Sequence, residues 1–495
     1  MSISIVYWSG TGNTEAMANA LADGIREAGG EAALITVDSA GAEALASEEV
    51  FALGCPSMGA EELEESEMEP FVAELEGKVK GKKINVVTLG CSKNVVDSEH
   101  VMAQLAAAGY DVVFDSNGTE ARTVVVNTCG FIGDAKEEGA IDRLFVIGCL
   151  SERYAEELRR EIPEVDAYFG ARDFSGVVRA LTGSEGGAPA TERMLTTPGH
   201  YAYLKISEGC NWRCAYCAIP LIRGPHVSVP EEQVLEEAGR LVRRGVKELI
   251  VVAQDTTYYG VDLYGERRLG RLLRRLAAIP GVEWVRLHYT YPTGFPDDVL
   301  AAMREEPKIC RYIDIPLQHI ADRQLSAMRR GITKRGTEEL IARLRREVPG
   351  IAIRTTLLVG FPGESEEDFA ELTDFVERQR FERLGVFPYS AEEGTPSAEM
   401  ADDVPEEVKQ ARVERIMELQ RNISHEANVA RIGRKLRVVV DRREGDYYVA
   451  RSEYDSPEVD QEILIPVAEG RLLPGEFREV VVTACEEYDL YGRLA

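Results

Sequence analysis

Between residues 201 and 387, short apolar runs alternate with longer segments whose apolar positions recur at helical spacing. This alternation is typical of buried parallel strands that are each followed by a crossover helix. The series predicts an open (β/α)6 barrel, with its functional groups at the carboxyl ends of the strands. The predicted strands cover 201–206, 249–252, 284–289, 312–315, 353–359 and 384–387, and the predicted helices cover 231–244, 269–278, 297–304, 322–329, 337–347 and 366–378.

Two shorter α/β patterns precede the barrel. Residues 3–7 predict a buried strand, which leads through a Gly- and Thr-rich loop into a helix over about 15–28. Further along, the apolar runs 84–89, 124–126 and 144–147 are each followed by a cysteine. Because parallel strands end at the same edge of a sheet, we expect these cysteines to converge there. They are Cys91, Cys129 and Cys149.

The pattern changes again near residue 427, where β-branched and charged residues alternate around several glycines. Such spacing predicts a small five-stranded β-barrel. A Gly-, Ser- and Pro-containing stretch at 184–190 reads as a linker. Since 495 residues are too many for one core, we expect four domains. Their bounds are 1–82, 83–183, 191–426 and 427–495.

The net charge of the chain indicates which class of macromolecule it binds. Its net charge is −28, and residues 1–80 contribute 3 basic against 16 acidic side chains. An acidic surface disfavours tight, sequence-blind binding to nucleic acid and favours a basic protein partner. No apolar run reaches the roughly 18 residues that a membrane span needs. Nine cysteines without a signal peptide indicate thiols and metal ligands in a reducing cytoplasm.

The cysteine motif Cys210-Asn-Trp-Arg-Cys214-Ala-Tyr-Cys217 has the spacing C-x3-C-x2-C. Three thiolates can hold a [4Fe–4S] cluster and leave one iron open to a ligand that is not protein. A zinc site would need a fourth ligand, and neither a nearby Cys nor a paired His supplies it. The spacing therefore favours an iron–sulfur cluster.

This motif resembles that of the radical S-adenosylmethionine (SAM) enzymes, in which SAM binds the open iron. The flanks Tyr201-Ala-Tyr-Leu-Lys-Ile-Ser-Glu-Gly209 and Ala218-Ile-Pro-Leu-Ile-Arg-Gly224 resemble the methylthiotransferase branch, and among these the enzymes that modify a small-subunit ribosomal protein. The resemblance implies that SAM both methylates a sulfur and yields the radical that attacks the β-carbon of a substrate aspartate. The barrel segment Gly360-Phe-Pro-Gly-Glu364 follows the fifth strand, in the region that contacts SAM in this superfamily. Gly360, Gly363 and Glu364 are therefore predicted cofactor-binding residues, whereas His319 is expected to be a core histidine.

Residues 83–182 resemble the N-terminal methylthiotransferase domain. Its signatures here are Thr88-Leu-Gly-Cys91-Ser-Lys-Asn94, Asn127-Thr-Cys129-Gly-Phe-Ile132 and Ile147-Gly-Cys149-Leu150. The resemblance implies a second [4Fe–4S] cluster on these three cysteines. The interval 138–142 is shorter than the helix that the family has there, so the crossover to Cys149 is cramped.

The first residues resemble a short-chain flavodoxin. The loop Ser9-Gly-Thr11-Gly-Asn13-Thr14 opens a helix, which favours a phosphate, and the resemblance makes Ser9, Thr11, Asn13 and Thr14 predicted ligands of FMN. Residues 53–63 resemble the first flavin-flanking loop, but the second such loop is missing, so FMN binding is expected to be weak. The segment could serve as an electron donor in cis, or a separate flavodoxin or ferredoxin could donate.

Two alternatives remain open at this point. One is the branch of the family that methylthiolates tRNA adenosine, which shares all six cysteines. The other is an electron-carrier fusion whose transferase half is disabled by the short crossover. The terminal barrel resembles the TRAM module of these enzymes, and residues 430–495 hold 10 basic against 14 acidic side chains. This balance suits a basic protein better than RNA.

Overall fold

The structure is a computed structural model. It describes residues 2–7, 18–19, 21–23, 25–26, 31–36, 39, 51–54, 91–107, 112, 114, 123–127, 143–163, 165–171, 173–182 and 192–495. The predicted positions of Cys129, of the short crossover and of the phosphate loop at 9–14 lie outside these residues. The chain divides into two compact units. The first comprises Met1–Met194 with Leu221–Arg223, and the second comprises Leu195–Pro220 with Gly224–Ala495.

The first unit begins with a parallel three-stranded sheet. Its strands are β1 (Ser2–Tyr7), β2 (Glu31–Thr36) and β3 (Phe51–Gly54), in the order β2-β1-β3. Ile5 of β1 packs against Ala18, Ala22 and Ile25, which lie in a helical stretch between the first two strands. The alternation of strand and helix in this segment is as predicted.

A second parallel sheet follows in the same unit. Its order is β4-β5-β6, and the apolar residues of β5, such as Phe145 and Ile147, form its core with Val101, Leu105 and Val177 from two helices. The predicted strands at 124–126 and 144–147 are thus confirmed. The elements are α1 (Ser92–Ala107), β4 (Thr123–Asn127), β5 (Arg143–Ile147), α2 (Cys149–Glu161), β6 (Ala167–Phe169) and α3 (Phe174–Thr182).

The second unit contains the predicted barrel. Six parallel strands lie in the order β14-β13-β12-β11-β10-β7, so each new strand adds to the same edge. They are β7 (Tyr201–Lys205), β10 (Glu248–Val252), β11 (Trp284–Leu287), β12 (Ile309–Asp314), β13 (Ala352–Val359) and β14 (Arg383–Pro388). A short ribbon of β8 (Ser207–Glu208) and β9 (Val227–Ser228) lies after the first strand.

The helices of this unit cover the barrel strands. They are α4 (Ile219–Ile222), which runs into the segment grouped with the first unit, α5 (Glu231–Arg243), α6 (Val261–Tyr264), α7 (Leu269–Ala277), α8 (Asp297–Glu305), α9 (Asp322–Ala327), α10 (Lys334–Glu347), α11 (Glu366–Gln379) and α12 (Glu406–Val429). The pattern did not predict α12, whose Ile416 and Ile423 join the barrel core. No helix in the described ranges combines the length and apolar character that crossing a membrane requires.

The chain ends in the predicted small barrel. Five strands close it in the order β15-β16-β17-β19-β18, around a core that includes Val438, Ala450, Ile463 and Val480. The strands are β15 (Lys435–Glu444), β16 (Tyr447–Ser452), β17 (Ile463–Pro466), β18 (Phe477–Cys485) and β19 (Leu490–Leu494).

Buried ion pairs join the small barrel to the large one. Glu248 at the start of β10 accepts hydrogen bonds from Arg286 of β11, at 2.8 Å, and forms an ion pair with Arg451 of β16. Burial alone would raise the pKa of Glu248, but the two guanidinium groups hold it at about 2. Arg451 also pairs with Asp441 at 2.8 Å. Separating the barrels would break the Glu248–Arg451 pair and leave each of these buried charges with fewer partners.

His288, which follows β11, lies buried against the loop after β16, with its Nε2 2.9 Å from Ser456 Oγ. Its pKa is lowered from 6.5 to about 3, chiefly by burial, while Asp314 and Glu248 raise it and Arg286 and Arg354 lower it. The folded protein therefore stays unprotonated at this ring between pH 6.5 and pH 3, where the unfolded chain binds a proton. This site stabilises the fold fully above pH 6.5 and loses its contribution as the pH falls from 6.5 towards 3.

We predict that His288→Gln makes the free energy of unfolding less dependent on pH. Between pH 7 and pH 5 the wild type should lose roughly 2 kcal/mol more than the variant, since one proton binds only to the unfolded chain. Urea unfolding followed by Trp fluorescence measures this. His425→Gln, at an exposed position of α12, is the control and should keep the wild-type slope. Equal slopes for wild type and His288→Gln would contradict the assignment.

Candidate active site

The cysteine loop leaves the barrel at the carboxyl end of the first strand, directly after β8. Gly209, with φ of 78°, makes the turn into it, a conformation that an L side chain would strain. The Cys210 N–H donates to Gly224 O at 3.0 Å, and the Cys217 N–H donates to Cys214 O at 3.2 Å. All three cysteines are free thiols, Cys214 buried and the other two partly exposed.

An aromatic stack holds this loop. The ring of Trp212 lies parallel to that of Tyr291, with centroids 4.0 Å apart. The Trp212 Nε1–H donates to Asp255 Oδ2 at 2.6 Å, and the other Asp255 oxygen accepts the N–H and the hydroxyl of Thr257. Asp255 lies three residues after the end of β10. The structure makes it a support of the cysteine loop.

The thiols of this loop sit close enough to influence one another. Burial raises the pKa of Cys210 to about 12 and that of Cys217 to about 11, and the neighbouring thiols contribute to both shifts. Ligation by a metal would have to displace these protons, as it does in thiolate sites generally. Three free thiols within eight residues of one loop, one buried and two partly exposed, fit the donor set that an iron–sulfur cluster requires.

Among the described residues, no group of three His, Cys, Asp or Glu side chains is placed to share one metal ion. This finding concerns a single ion. A cluster of four irons is bound differently, because each thiolate contacts its own iron and the sulfurs need not converge on one point.

The segment after β13 forms a tight turn around a buried carboxylate. Gly360 and Gly363 both have positive φ, 73° and 80°. Glu364 accepts the Gly360 N–H with one oxygen, which also pairs with Arg412 at 2.7 Å, and its other oxygen lies 3.0 Å from His319 Nε2. The His319 Nδ1 accepts the N–H of Ala321 at 3.0 Å, so Nε2 carries the hydrogen and donates to Glu364.

Glu364 thus supports the turn from inside, with both oxygens engaged by the chain, and His319 is the buried core histidine that the sequence suggested. The two glycines present the backbone of the turn. A Cβ on Gly360 would collide with the side chain of Lys409, which explains the need for glycine there. SAM binding by Gly360, Gly363 and Glu364 stays a prediction. Because both oxygens of Glu364 are engaged by the chain, this residue could influence SAM only by holding the conformation of the turn.

Two of the three predicted thiols of the first unit lie together. Cys149 directly follows β5 and begins α2, and Cys91 directly precedes α1. Both sulfurs lie 4.0 Å from Asn94 Oδ1, so they can be no farther apart than twice that distance. The strand that leads to Cys129 ends beside the same residue, because Asn127 Nδ2 donates to Asn94 O at 3.1 Å.

Arg223 accompanies these thiols within the first unit. Its Nε and Nη2 lie 3.3 and 3.1 Å from Cys149 Sγ, and its Nη1 donates to Asp97 at 2.9 Å. A further N–H reaches Asn94 Oδ1. No role was predicted from the sequence for Asn94 or Arg223, although both lie inside the motifs on which the resemblance rests.

Three family models match separate parts of the chain. Residues 83–170 match the model described as uncharacterized protein family UPF0004, residues 204–376 match the radical SAM superfamily, and residues 432–495 match the TRAM domain.

Curated relatives match nearly their whole length. A protein of Bacteroides thetaiotaomicron named ribosomal protein uS12 methylthiotransferase RimO is 51% identical over 431 residues, which cover 84% of this chain and 99% of the relative. The protein of the same name from Porphyromonas gingivalis is 53% identical over 428 residues, with coverage of 83% and 99%.

Two solved structures are also similar. The radical SAM methyltransferase TsrM of Kitasatospora setae is 12% identical, with a TM-score of 0.45 and coverage of 80% of this chain and 73% of that one. The two-electron reduced flavodoxin of Megasphaera elsdenii is 49% identical over 17% of this chain and 60% of its own, with a TM-score of 0.16.

We predict that Glu364→Gln destabilises the second unit by about 3 kcal/mol, because it removes the buried counter-charge of Arg412, which keeps only the exposed Glu366, and replaces one of the two acceptor oxygens beneath the turn by an amide. Chemical unfolding measures the loss. Glu367→Gln, an exposed carboxylate on α11, is the matched control and should change stability by less than about 0.5 kcal/mol. Equal stability of the two variants would show that the buried carboxylate does not hold the turn.

Proposed function

We propose that this chain, which belongs to the RimO family of radical SAM methylthiotransferases, adds a methylthio group to the β-carbon of an aspartate in a small-subunit ribosomal protein. The observation that carries the proposal is identity of about half of all positions with enzymes of that name over almost their entire length. The three-thiol loop at the mouth of the barrel agrees with it. We also propose four domains, 1–82, 83–183, 191–426 and 427–495; the ranges that the family models match fall inside the last three.

Membership in the radical SAM superfamily implies SAM and one [4Fe–4S] cluster, and we assign that cluster to Cys210, Cys214 and Cys217. When bound, the two together supply the one-electron chemistry that activates an unreactive carbon–hydrogen bond. The chain contributes position and protection. The stack of Trp212 on Tyr291 fixes the loop, and burial of Cys214 keeps water from that side of the site.

The turn at 360–364 is the proposed binding surface for SAM. Its glycines bring backbone groups to the carboxyl end of β13, where a barrel of this kind binds its ligands. Glu364 fixes the conformation of the turn from below through Gly360 and His319. We therefore give the two glycines a binding role and Glu364 a positioning role.

A second [4Fe–4S] cluster on Cys91, Cys129 and Cys149 is proposed to carry, on its open iron, the sulfur that is transferred. Support comes from the two described thiols, which both lie beside Asn94, and from the strand end before Cys129, which reaches the same residue. Arg223 gives Cys149 two N–H donors, which would stabilise the thiolate form that a metal requires.

The first 82 residues are the proposed point of electron entry. The loop with Ser9, Thr11, Asn13 and Thr14 would hold the phosphate of FMN, weakly because one flavin-flanking loop is missing. A flavodoxin or ferredoxin acting in trans could fill the same role. We place the enzyme in the cytoplasm, where its ribosomal substrate is made.

We predict two clusters, or roughly eight irons per chain after anaerobic reconstitution. Replacing Cys210, Cys214 and Cys217 by Ala should leave about half of the iron and abolish SAM cleavage. Replacing Cys91 and Cys149 by Ala should also leave about half of the iron, retain SAM cleavage and abolish methylthio transfer. Iron and sulfide analysis with chromatography of the SAM products measures both. SAM cleavage at the wild-type rate in the triple variant would refute the first assignment, and full transfer activity in the double variant would refute the second.

We predict that the substrate is protein and not tRNA. The chain carries a net charge of −28, and its TRAM barrel has more acidic than basic residues, which disfavours contact with phosphates. The reduced enzyme, given SAM and sulfide, should add a methylthio mass to an aspartate of the small-subunit ribosomal protein, measured by mass spectrometry. Unmodified tRNA, offered in parallel, should stay unchanged. Modification of tRNA adenosine alone would instead place the chain with the tRNA-modifying branch.

A further inference from the structure

Arg330 lies between α9 and α10, three residues after the end of α9. It is a buried cation beside the cysteine loop. Only 3% of its surface is exposed. Its Nη1 donates to Cys214 Sγ at 3.5 Å and to Tyr216 Oη at 3.2 Å, and its Nη2 donates to the carbonyl oxygen of Pro316. The guanidinium carbon lies 4.3 Å from the centre of the Tyr291 ring, and Nε has no hydrogen-bond partner.

The charge of Arg330 lacks the partner that other buried arginines have. Among the described residues, six arginines are buried, and five of them form an ion pair with a buried or partly buried carboxylate. Arg330 forms none with the described residues. The five are Arg193 with Glu99, Arg223 with Asp97, Arg286 with Glu248, Arg412 with Glu364, and Arg451 with Glu248 and Asp441.

An unpaired buried cation is costly, so the identity of its neighbours is informative. Phenol groups ordinarily ionise near pH 10 and a peptide carbonyl carries no charge, so neither Tyr216 nor Pro316 neutralises it. The remaining contact is the sulfur of Cys214, which is negative when it ligates iron. The protein therefore places a permanent positive charge where the bound cluster would bring a negative one.

We infer that Arg330 is the counter-charge of the cluster held by Cys210, Cys214 and Cys217, and that it makes this cluster easier to reduce. The inference rests on the proposed function, which puts the cluster there. One-electron reduction adds a negative charge to the cluster, and a cation at contact distance in a site of low dielectric stabilises the reduced form more than the oxidised form. The exposed Arg329 cannot act in this way, because water screens it.

The backbone around Arg330 is held by other groups. The carbonyl oxygen of Arg330 accepts hydrogen bonds from Tyr291 Oη at 2.9 Å and from Thr293 Oγ1 at 3.1 Å. The Ala215 N–H donates to Met328 O at 3.0 Å, which ties the cysteine loop to the same segment. Substitution of the Arg330 side chain therefore leaves these ties intact, and its effect on charge can be measured separately.

The test is the midpoint potential of this cluster, determined by redox titration with electron paramagnetic resonance, in the full chain carrying Cys91→Ala and Cys149→Ala and without SAM. Arg330→Gln should lower the equilibrium constant for reduction at least tenfold, which is about 59 mV for one electron. Arg330→Lys keeps the charge and should show less than half of that shift. Arg329→Gln is the matched control and should leave the potential unchanged.

A change of less than twofold in the equilibrium constant for Arg330→Gln would overturn the inference. If that variant holds no cluster, iron retention decides: retention in Arg330→Lys and loss in Arg330→Met support a counter-charge, whereas equal retention or equal loss refutes it. Weaker SAM binding at an unchanged potential would make Arg330 a ligand of SAM and refute it as well. Failure of the parent protein to assemble a cluster that depends on Cys214 would instead refute the proposed function.

Discussion

The proposed function places one electrostatic constraint on the second unit: three thiols lie in a partly buried loop, and their negative charge must be accommodated when they ligate a cluster. Burial raises the pKa of Cys210 and Cys217, which disfavours their thiolate forms unless a positive charge or a metal is close. A ligated loop needs a compensating cation and rigid support. Arg330 supplies the first, and the stack of Trp212 on Tyr291, fixed by Asp255, supplies the second.

Other buried charges of the protein are also balanced by an oppositely charged or hydrogen-bonding neighbour. Beneath the glycine turn at the end of β13, Glu364 accepts hydrogen bonds from both His319 and Arg412. At the interface between the large and the small barrel, Glu248 forms ion pairs with both Arg286 and Arg451. In the first unit Arg223 binds Asp97 and reaches Cys149. Each group of buried charges holds two chain segments together, because removing one member leaves the others buried without a partner.

The sequence alone predicted the elements whose apolar pattern is strong. All six barrel strands and the small β-barrel lie where the pattern placed them, within a few residues. It missed α12, because much of what this helix buries is polar, including Lys409, Arg412 and Gln420, so its apolar periodicity is faint. The cysteine spacing predicted a cluster loop, whereas the roles of Arg330, Arg223 and Asn94 could not be predicted. Nothing in a sequence marks which arginine will be buried without a carboxylate.

The proposed function requires that the thiols of the barrel loop hold a cluster whose open iron binds SAM. Electron–nuclear double resonance tests it directly, on the reduced protein with SAM labelled at its amino group with nitrogen-15. We predict a hyperfine coupling to the label in the wild type and in the variant carrying Cys91→Ala and Cys149→Ala. The coupling should be lost in Cys214→Ala. A coupling that persists without Cys214, or that is absent from a fully reconstituted wild type, would contradict the proposed function.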